Sequence, residues 1–213
     1  MAILREILLL GAFSLLTVAS ARVSFALPST IGAAYLGLLR QFGVLLPQTP
    51  VPVTGQTFAV LLTGLALGSR RGGLTMLLYL GYGLAGLGVF ALGLSAWSPS
   101  PVAGVPVILG PTAGYLFGYP PAAFIVGLLA ERGWDRRFGS TALALVVGSV
   151  VIYALGLPWL AHYVGPQAML ARGLYPFIVG DALKLLAAAG LLPAAWSAVH
   201  ALGRPRDREH EHR

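Results

Sequence analysis

Long apolar runs with few charges constrain this chain more than any other feature. Of its 213 residues, 57% are hydrophobic and 10% are charged, and the mean hydropathy is +0.81. A helix that spans a bilayer needs about 20 predominantly apolar residues. Runs of roughly this kind are Ile7–Leu27, Val53–Leu67, Gly73–Leu92, Val107–Ala130, Thr141–His162 and Phe177–His200. We therefore predict an all-α, polytopic membrane protein with six transmembrane helices, in which residues 1–203 form a single transmembrane domain.

The distribution of arginine predicts the orientation of these helices. Short cytoplasmic loops carry an excess of Lys and Arg. With six spans, three arginines fall on one side of the membrane, namely Arg22, Arg40 and Arg172. The other side holds Arg5, Arg70, Arg71, Arg132, Arg136, Arg137, Arg204, Arg206, Arg208 and Arg213. Both termini are therefore expected in the cytoplasm, with residues 204–213 as a charged cytoplasmic tail.

Composition also bears on function. The formal net charge of +7 lies in short loops and a tail rather than on a folded basic face, so we expect no nucleic-acid partner. The chain has no cysteine, which excludes disulfides, thiolate nucleophiles and cysteine-ligated metals. The segment with His210 and His212 has the character of a solvated tail rather than a metal site. No metal site is therefore predicted, and no cofactor site or catalytic residue is predicted either.

The outer connection between the first two spans, residues 28–52, is rich in proline and contains an apolar stretch from Ile31 to Leu46. Such a stretch is short for a span and more often lies at the interface or packs over a bundle. Two interpretations remain open: a lid over a binding site, or an amphipathic spacer.

Asp181 and Lys184 are the candidate functional pair. They lie three residues apart in the last apolar run, and Lys184 is the only lysine in the chain. Residues at i and i+3 share one face of a helix. Each charge costs roughly 2.5–3.5 kcal/mol inside a membrane span, so such groups are functional candidates by default. A polar solute held by the pair, or an internal salt bridge that locks the helix, would each account for it.

Further polar groups are expected at a similar depth. Gln56 near the start of the second span, Tyr79 in the third and Tyr115 in the fourth approach the outer half of the bilayer together with Asp181. Such a set predicts an outward-facing pocket with donors, acceptors and aromatic walls. A carboxylate that accepts N–H groups and an ammonium that addresses oxygen suit a small solute of mixed polarity.

Several segments of the chain resemble a known family. The start of the second span, Val51-Pro52-Val53-Thr54-Gly55-Gln56-Thr57, resembles a VPIT-x-QT motif. The fourth-span segment that begins Gly110-Pro111-Thr112-Ala113-Gly114-Tyr115 and the sequence Gly180-Asp181-Ala182-Leu183-Lys184 are similar to two more of its signatures. On these segments the chain is identified as similar to the BioY proteins, the biotin-binding S components of energy-coupling factor transporters.

This resemblance implies a six-helix subunit of the cell membrane that captures biotin as its transported substrate. It would work in the lipid bilayer with a transmembrane coupling protein and two cytoplasmic ATPases. Asp181 would accept from the ureido N–H groups of biotin, and Lys184 would bind either the ureido oxygen or the valerate carboxylate. Gln56, Tyr79 and Tyr115 would shape the rest of the site. An S component for another vitamin-like solute is the main alternative. An intramembrane enzyme is disfavoured, because no Ser–His arrangement or metal cluster accompanies the Asp–Lys pair.

The family's first span often carries an Ala-x-x-x-Ala-like face that docks on the coupling protein. Here Thr17 and Ala21 offer a small-x-x-x-small substitute.

Overall fold

The computed structural model describes residues 2–22, 51, 54–101, 103–178 and 180–190, and the regular secondary structure of these residues is helical apart from an isolated β-bridge. The helices are α1 (Ala2–Arg22), α2 (Gln56–Leu67), α3 (Ser69–Leu84), α4 (Ala113–Glu131), α5 (Phe138–Val164), the short α6 (Met169–Gly173) and α7 (residues 180–190). The described residues contain no strand, although an isolated β-bridge joins Pro99 and Pro106. The all-α prediction is confirmed for the described residues.

Three of the described helices are long and apolar enough to cross a membrane: Ile3–Arg22, Ala113–Glu131 and Phe138–Val164. Gln56–Leu67 is apolar but shorter, and its 12 residues rise about 18 Å. The sixth predicted span continues beyond residue 190, where the described part of the chain ends. The outer connection 28–52, apart from Val51, and the tail 204–213 also lie outside the described residues.

Several helices differ in their bounds from the predicted spans, and the differences that affect the site are those of α3 and α4. The third span was predicted as Gly73–Leu92, but α3 begins at Ser69 and ends at Leu84. Gly86 follows with a φ of +91°, a conformation that favours glycine and ends the helix. The fourth span was predicted from Val107, but α4 begins at Ala113, after a 3₁₀ turn over Val107–Leu109. The described residues between the two helices, 85–101 and 103–112, contain no α-helix, and we call this connection the α3–α4 loop.

Helix α4 lies at the centre of the bundle, in contact with α2, α3 and α5. Glycines allow the close approach of these helices. Only Gly68, with a φ of +80°, separates α2 from α3. A Cβ atom at Gly64 would lie 2.4 Å from the backbone oxygen of Ala123, so α2 and α4 pack with their backbones in contact.

Helix α1 turns its small and polar residues toward the bundle. Ser14 and Thr17 are fully buried and Ala21 is 2% exposed, whereas Ile3, Leu4 and Leu15 are more than 60% exposed. The hydroxyl of Thr17 donates to the carbonyl of Phe13 at 3.0 Å. Thr17 and Ala21, the small residues spaced four apart on α1, are therefore covered by the chain's own helices.

The bundle has two distinguishable ends. At one end Arg71 pairs with Glu6 at 2.6 Å, and the Glu131 carboxylate accepts hydrogen bonds from the backbone N–H and hydroxyl of Ser69 at 2.7 and 2.8 Å. This is the arginine-rich end. At the opposite, arginine-poor end Arg22 donates to the carbonyl of Gly88 at 2.6 Å.

Candidate functional site

The Asp181–Lys184 pair lies at the arginine-poor end of the bundle, on α7. The two side chains share one face of the helix and form a salt bridge of 3.0 Å between Nζ and Oδ1. Both residues are 8% exposed. The two groups therefore lie close together, as predicted. They form an internal salt bridge, which was one of the two explanations that the sequence allowed for the pair.

Each charged group also contacts other helices. The Lys184 ammonium donates to the backbone carbonyl of Thr54 at 2.7 Å and lies 3.4 Å from the Thr57 hydroxyl. The Tyr153 hydroxyl, from α5, donates to the second Asp181 oxygen at 2.5 Å. Thr57 lies within 3.4 Å of the first oxygen. The pair thus joins α7 to α2, to the residues before α2, and to α5.

Gln56 and Tyr79 form a second polar pair, between α2 and α3. The Gln56 side-chain amide donates to the Tyr79 hydroxyl at 2.8 Å, and Tyr79 donates to the carbonyl of Val89 at 3.0 Å. The Thr54 hydroxyl donates to the Gln56 side-chain oxygen at 2.8 Å. These contacts determine which end of the Gln56 amide carries the oxygen.

Thr54 connects the two pairs into one network. Its carbonyl accepts from Lys184, and its hydroxyl donates to Gln56. The network therefore runs without a break from Tyr153 on α5 to Val89 in the α3–α4 loop. Its groups are held in place by partners on different helices, which is the preorganisation that ligand recognition in a buried site requires.

A cavity of about 200 Å³ lies beside this network. Its walls are mostly apolar, with a few polar groups such as Gln56 and Thr112. The lining residues are Val51, Gln56, Phe90, Ala91, Leu92, Leu94, Ser100, Pro101, Val107, Thr112, Tyr115, Leu116 and Tyr119. Apolar walls with a few convergent polar groups are typical of small-molecule sites.

A second cavity, of about 40 Å³, lies next to the salt bridge and is lined by Lys184, Thr57 and Tyr153 among others. Val51, Tyr115 and Tyr119 line both cavities and so form the wall between them. Tyr115 is held there by a hydrogen bond from its hydroxyl to the carbonyl of Gly173, at 3.0 Å. The small cavity extends to the charged pair, and the large cavity has most of the volume that a small molecule could occupy.

The five sequence-predicted site residues are close to one another but differ in their access to the cavities. Gln56 and Tyr115 line the large cavity, and Lys184 lines the small one. Asp181 and Tyr79 lie behind these walls, as hydrogen-bond partners of Lys184 and Gln56. Whether these residues bind a ligand stays a prediction.

Sequence reasoning missed three residues of the network: Thr54, Thr57 and Tyr153. Thr54 and Thr57 flank Gln56 in a segment that was noted for its motif only. Tyr153 lies in the middle of a long apolar helix, where a tyrosine hydroxyl needs a partner because no water is available. That need was the one signal that could have identified it. Among the described residues, no group of three His, Asp or Glu side chains could hold a metal ion.

Comparison with known proteins identifies the family. The sequence model of the BioY family matches residues 29–201. The chain belongs to the BioY family. It is 43% identical over 135 residues to the probable biotin transporter BioY of Pyrococcus horikoshii, covering 63% of this chain and 74% of that protein. It is 39% identical over 145 residues to the biotin transporter BioY of Thermotoga maritima, covering 68% and 80%.

A solved member of the same fold is the S component for biotin from an ECF-type ABC transporter. The two structures superpose with a TM-score of 0.59 over 81% of this chain and 95% of that one, at 21% sequence identity. The likeness shows that the BioY chain described here has the S-component fold. The resemblance inferred from the motifs is thereby confirmed. The relatives are named as transporters, which also bears out the prediction that the chain is not an enzyme. The chain is a membrane protein.

Proposed function

We propose that this chain is the membrane subunit that binds biotin for uptake by an energy-coupling factor transporter. The observation that carries the proposal is the buried hydrogen-bond network beside the two cavities, in a chain whose relatives are named biotin transporters. Biotin combines a ureido ring, which has N–H donors and a carbonyl acceptor, with an apolar body. The Asp181 carboxylate suits the donors, and Lys184 suits the oxygen.

The cavities favour one direction for the ligand. The ureido ring would lie toward the small cavity, which Lys184 lines. Asp181 does not line this cavity but forms the salt bridge with Lys184 directly behind its wall. The apolar body would lie in the large cavity, between Tyr115 and Phe90. Because the small cavity has room for little more than a water molecule, the Tyr115–Tyr119 wall has to move for the ring to reach the pair.

We place the six predicted helices in the cell membrane with both termini in the cytoplasm. The contacts of Glu6 with Arg71 and of Glu131 with Ser69 support this topology, because they gather predicted cytoplasmic segments at one end. The site lies at the other end and so would face outward. The chain has no Walker A motif, so a transmembrane coupling protein and two cytoplasmic ATPases would supply the energy.

The test is titration calorimetry of the purified protein in detergent, with biotin, desthiobiotin and thiamine. We expect saturable binding of biotin at one site per chain, and binding of desthiobiotin, which keeps the ureido ring. Thiamine should not bind, because it has no ureido ring for Asp181. Binding of thiamine in preference to biotin would assign the chain to another vitamin-like solute. Absence of biotin binding by folded protein would refute the proposal.

A further inference from the structure

The large cavity has one end near the salt bridge and another at the α3–α4 loop. The residues shared with the small cavity mark the first end, and Phe90, Ala91, Leu92 and Leu94 mark the second. Leu92 is 66% exposed, so the second end lies at the surface of the molecule. A ligand whose ring faces Lys184 therefore directs its other end toward this loop.

Arg22, the last residue of α1, lies against the same loop. Its guanidinium donates to the carbonyl of Gly88 at 2.6 Å. A Cβ atom built on Gly93 would lie 2.7 Å from one of its terminal nitrogens, so the group touches the backbone there. Gly88 and Gly93 flank Phe90, Ala91 and Leu92, which line this end of the cavity. Arg22 is exposed, and its guanidinium lies beside the loop residues at this end of the cavity without lining the cavity itself.

Charge distinguishes this end from the interior. The described residues that line the large cavity include no carboxylate, ammonium or guanidinium group. The charge of Lys184 is balanced by Asp181, 3.0 Å away. Arg22, in contrast, has a neutral carbonyl as its hydrogen-bond partner, and no carboxylate of the described residues forms a salt bridge with it. A guanidinium carries five N–H donors and pairs well with a carboxylate through two of them.

We propose that Arg22 binds the carboxylate of the ligand at the loop end of the cavity. The inference rests on the proposed function and adds to it the direction in which the ligand is bound. The ureido ring lies at Asp181 and Lys184, and the valerate carboxylate lies at Arg22. It also assigns Lys184 to the ring rather than to the carboxylate. Arg22 at the same time holds the α3–α4 loop through Gly88.

The experiment compares biotin with biotin methyl ester, which lacks the negative charge, by calorimetry on the wild-type protein and on Arg22→Gln, Arg22→Lys and Arg71→Gln. We expect the wild type to prefer biotin by about tenfold, the lower end of the contribution of a charge-assisted hydrogen bond. Arg22→Gln should bind the two ligands with equal affinity. Arg22→Lys should keep part of the preference. Arg71→Gln removes the same charge at the far end and should behave as wild type.

Other outcomes would overturn the inference. If Arg22→Gln weakened both ligands by the same factor, Arg22 would only hold the loop. If the preference for biotin survived in Arg22→Gln but disappeared in Arg172→Gln or Lys184→Met, the carboxylate would bind at that other cation. A wild-type protein that bound both ligands equally would recognise no carboxylate. If the wild type bound neither ligand, the proposed function itself would fail, and that result is distinct from the others.

Discussion

Lys184 donates a hydrogen bond to the backbone carbonyl of Thr54 at 2.7 Å, although the two residues are 130 positions apart in the chain. A buried ammonium needs several partners, and here one comes from its own helix and another from the segment that precedes α2. The position of residues 54–57 therefore depends on α7. Since the same segment carries Gln56, the charged pair and the uncharged pair of the site form one structural unit.

The first prediction concerns the Asp181–Lys184 salt bridge. Removal of one partner leaves a buried charge without compensation and costs about 3–5 kcal/mol. Asp181→Asn and Lys184→Met should each lower the stability of the protein by an amount of this order. The double variant Asp181→Asn/Lys184→Met leaves no uncompensated charge, so it should be more stable than either single variant. Thermal unfolding in detergent measures the three differences.

The double variant also separates stability from binding. Because it restores the charge balance and lacks both polar groups, it should fold and yet lose measurable biotin affinity in calorimetry. If it bound biotin with wild-type affinity, the pair would be a structural salt bridge alone, and the site would have to be sought among the other residues that line the cavities.

The second prediction concerns the hydroxyl of Thr54. Thr54→Val keeps the size of the side chain and the backbone carbonyl that Lys184 uses, but it removes the donor to Gln56. A single buried hydrogen bond contributes about 1 kcal/mol, so biotin affinity should fall by about fivefold. Thr63→Val is the matched control, because Thr63 is fully buried in α2 and donates to Ala59 within the helix. Equal affinities for Thr54→Val and Thr63→Val would show that the link between the pairs has no role in binding.

The sequence was sufficient to predict contacts that depend on helix geometry. Asp181 and Lys184 meet because they are three residues apart on a helix, and Gln56 and Tyr79 meet because they lie at similar depths in neighbouring helices. The contribution of Thr54 was not predictable in this way. Its backbone carbonyl is an acceptor that every residue has, so nothing in the residue type marks it.

Contacts of the α3–α4 loop were beyond sequence reasoning for a different reason. The pairing of Arg22 with the Gly88 carbonyl depends on where α3 ends, and the sequence-based bound was eight residues too late. Leu84, Gly86 and Gly88 all lie in one apolar, glycine-rich run, so hydropathy does not mark the end of the helix within it. The backbone conformation of glycine decides it instead.

The third prediction concerns the close contact of α2 and α4. A Cβ atom at Gly64 would lie 2.4 Å from the Ala123 oxygen, which is backbone and cannot turn away. Gly64→Ala should therefore destabilise the protein by about 1–3 kcal/mol, as overpacking does. Gly81→Ala in α3 is the control, since no described atom beyond its own helix backbone and chain neighbours lies within 4 Å of its Cβ position. It should be neutral or stabilise the protein by up to about 1 kcal/mol. A Gly64→Ala protein as stable as the Gly81→Ala protein would show that the helices are not in backbone contact.

The fourth prediction concerns the orientation of the bundle in the membrane. The chain has no cysteine, so one introduced thiol reports the side on which it lies. Gln167, near the arginine-poor end, and Gly139, at the start of α5 near the arginine-rich end, are both exposed, and their replacement removes no charge. In intact cells a membrane-impermeant maleimide should label Gln167→Cys, and it should label Gly139→Cys only after the membrane is permeabilised. The reverse pattern would place the arginine-rich end outside and direct the candidate site toward the cytoplasm, where it could not capture an external solute.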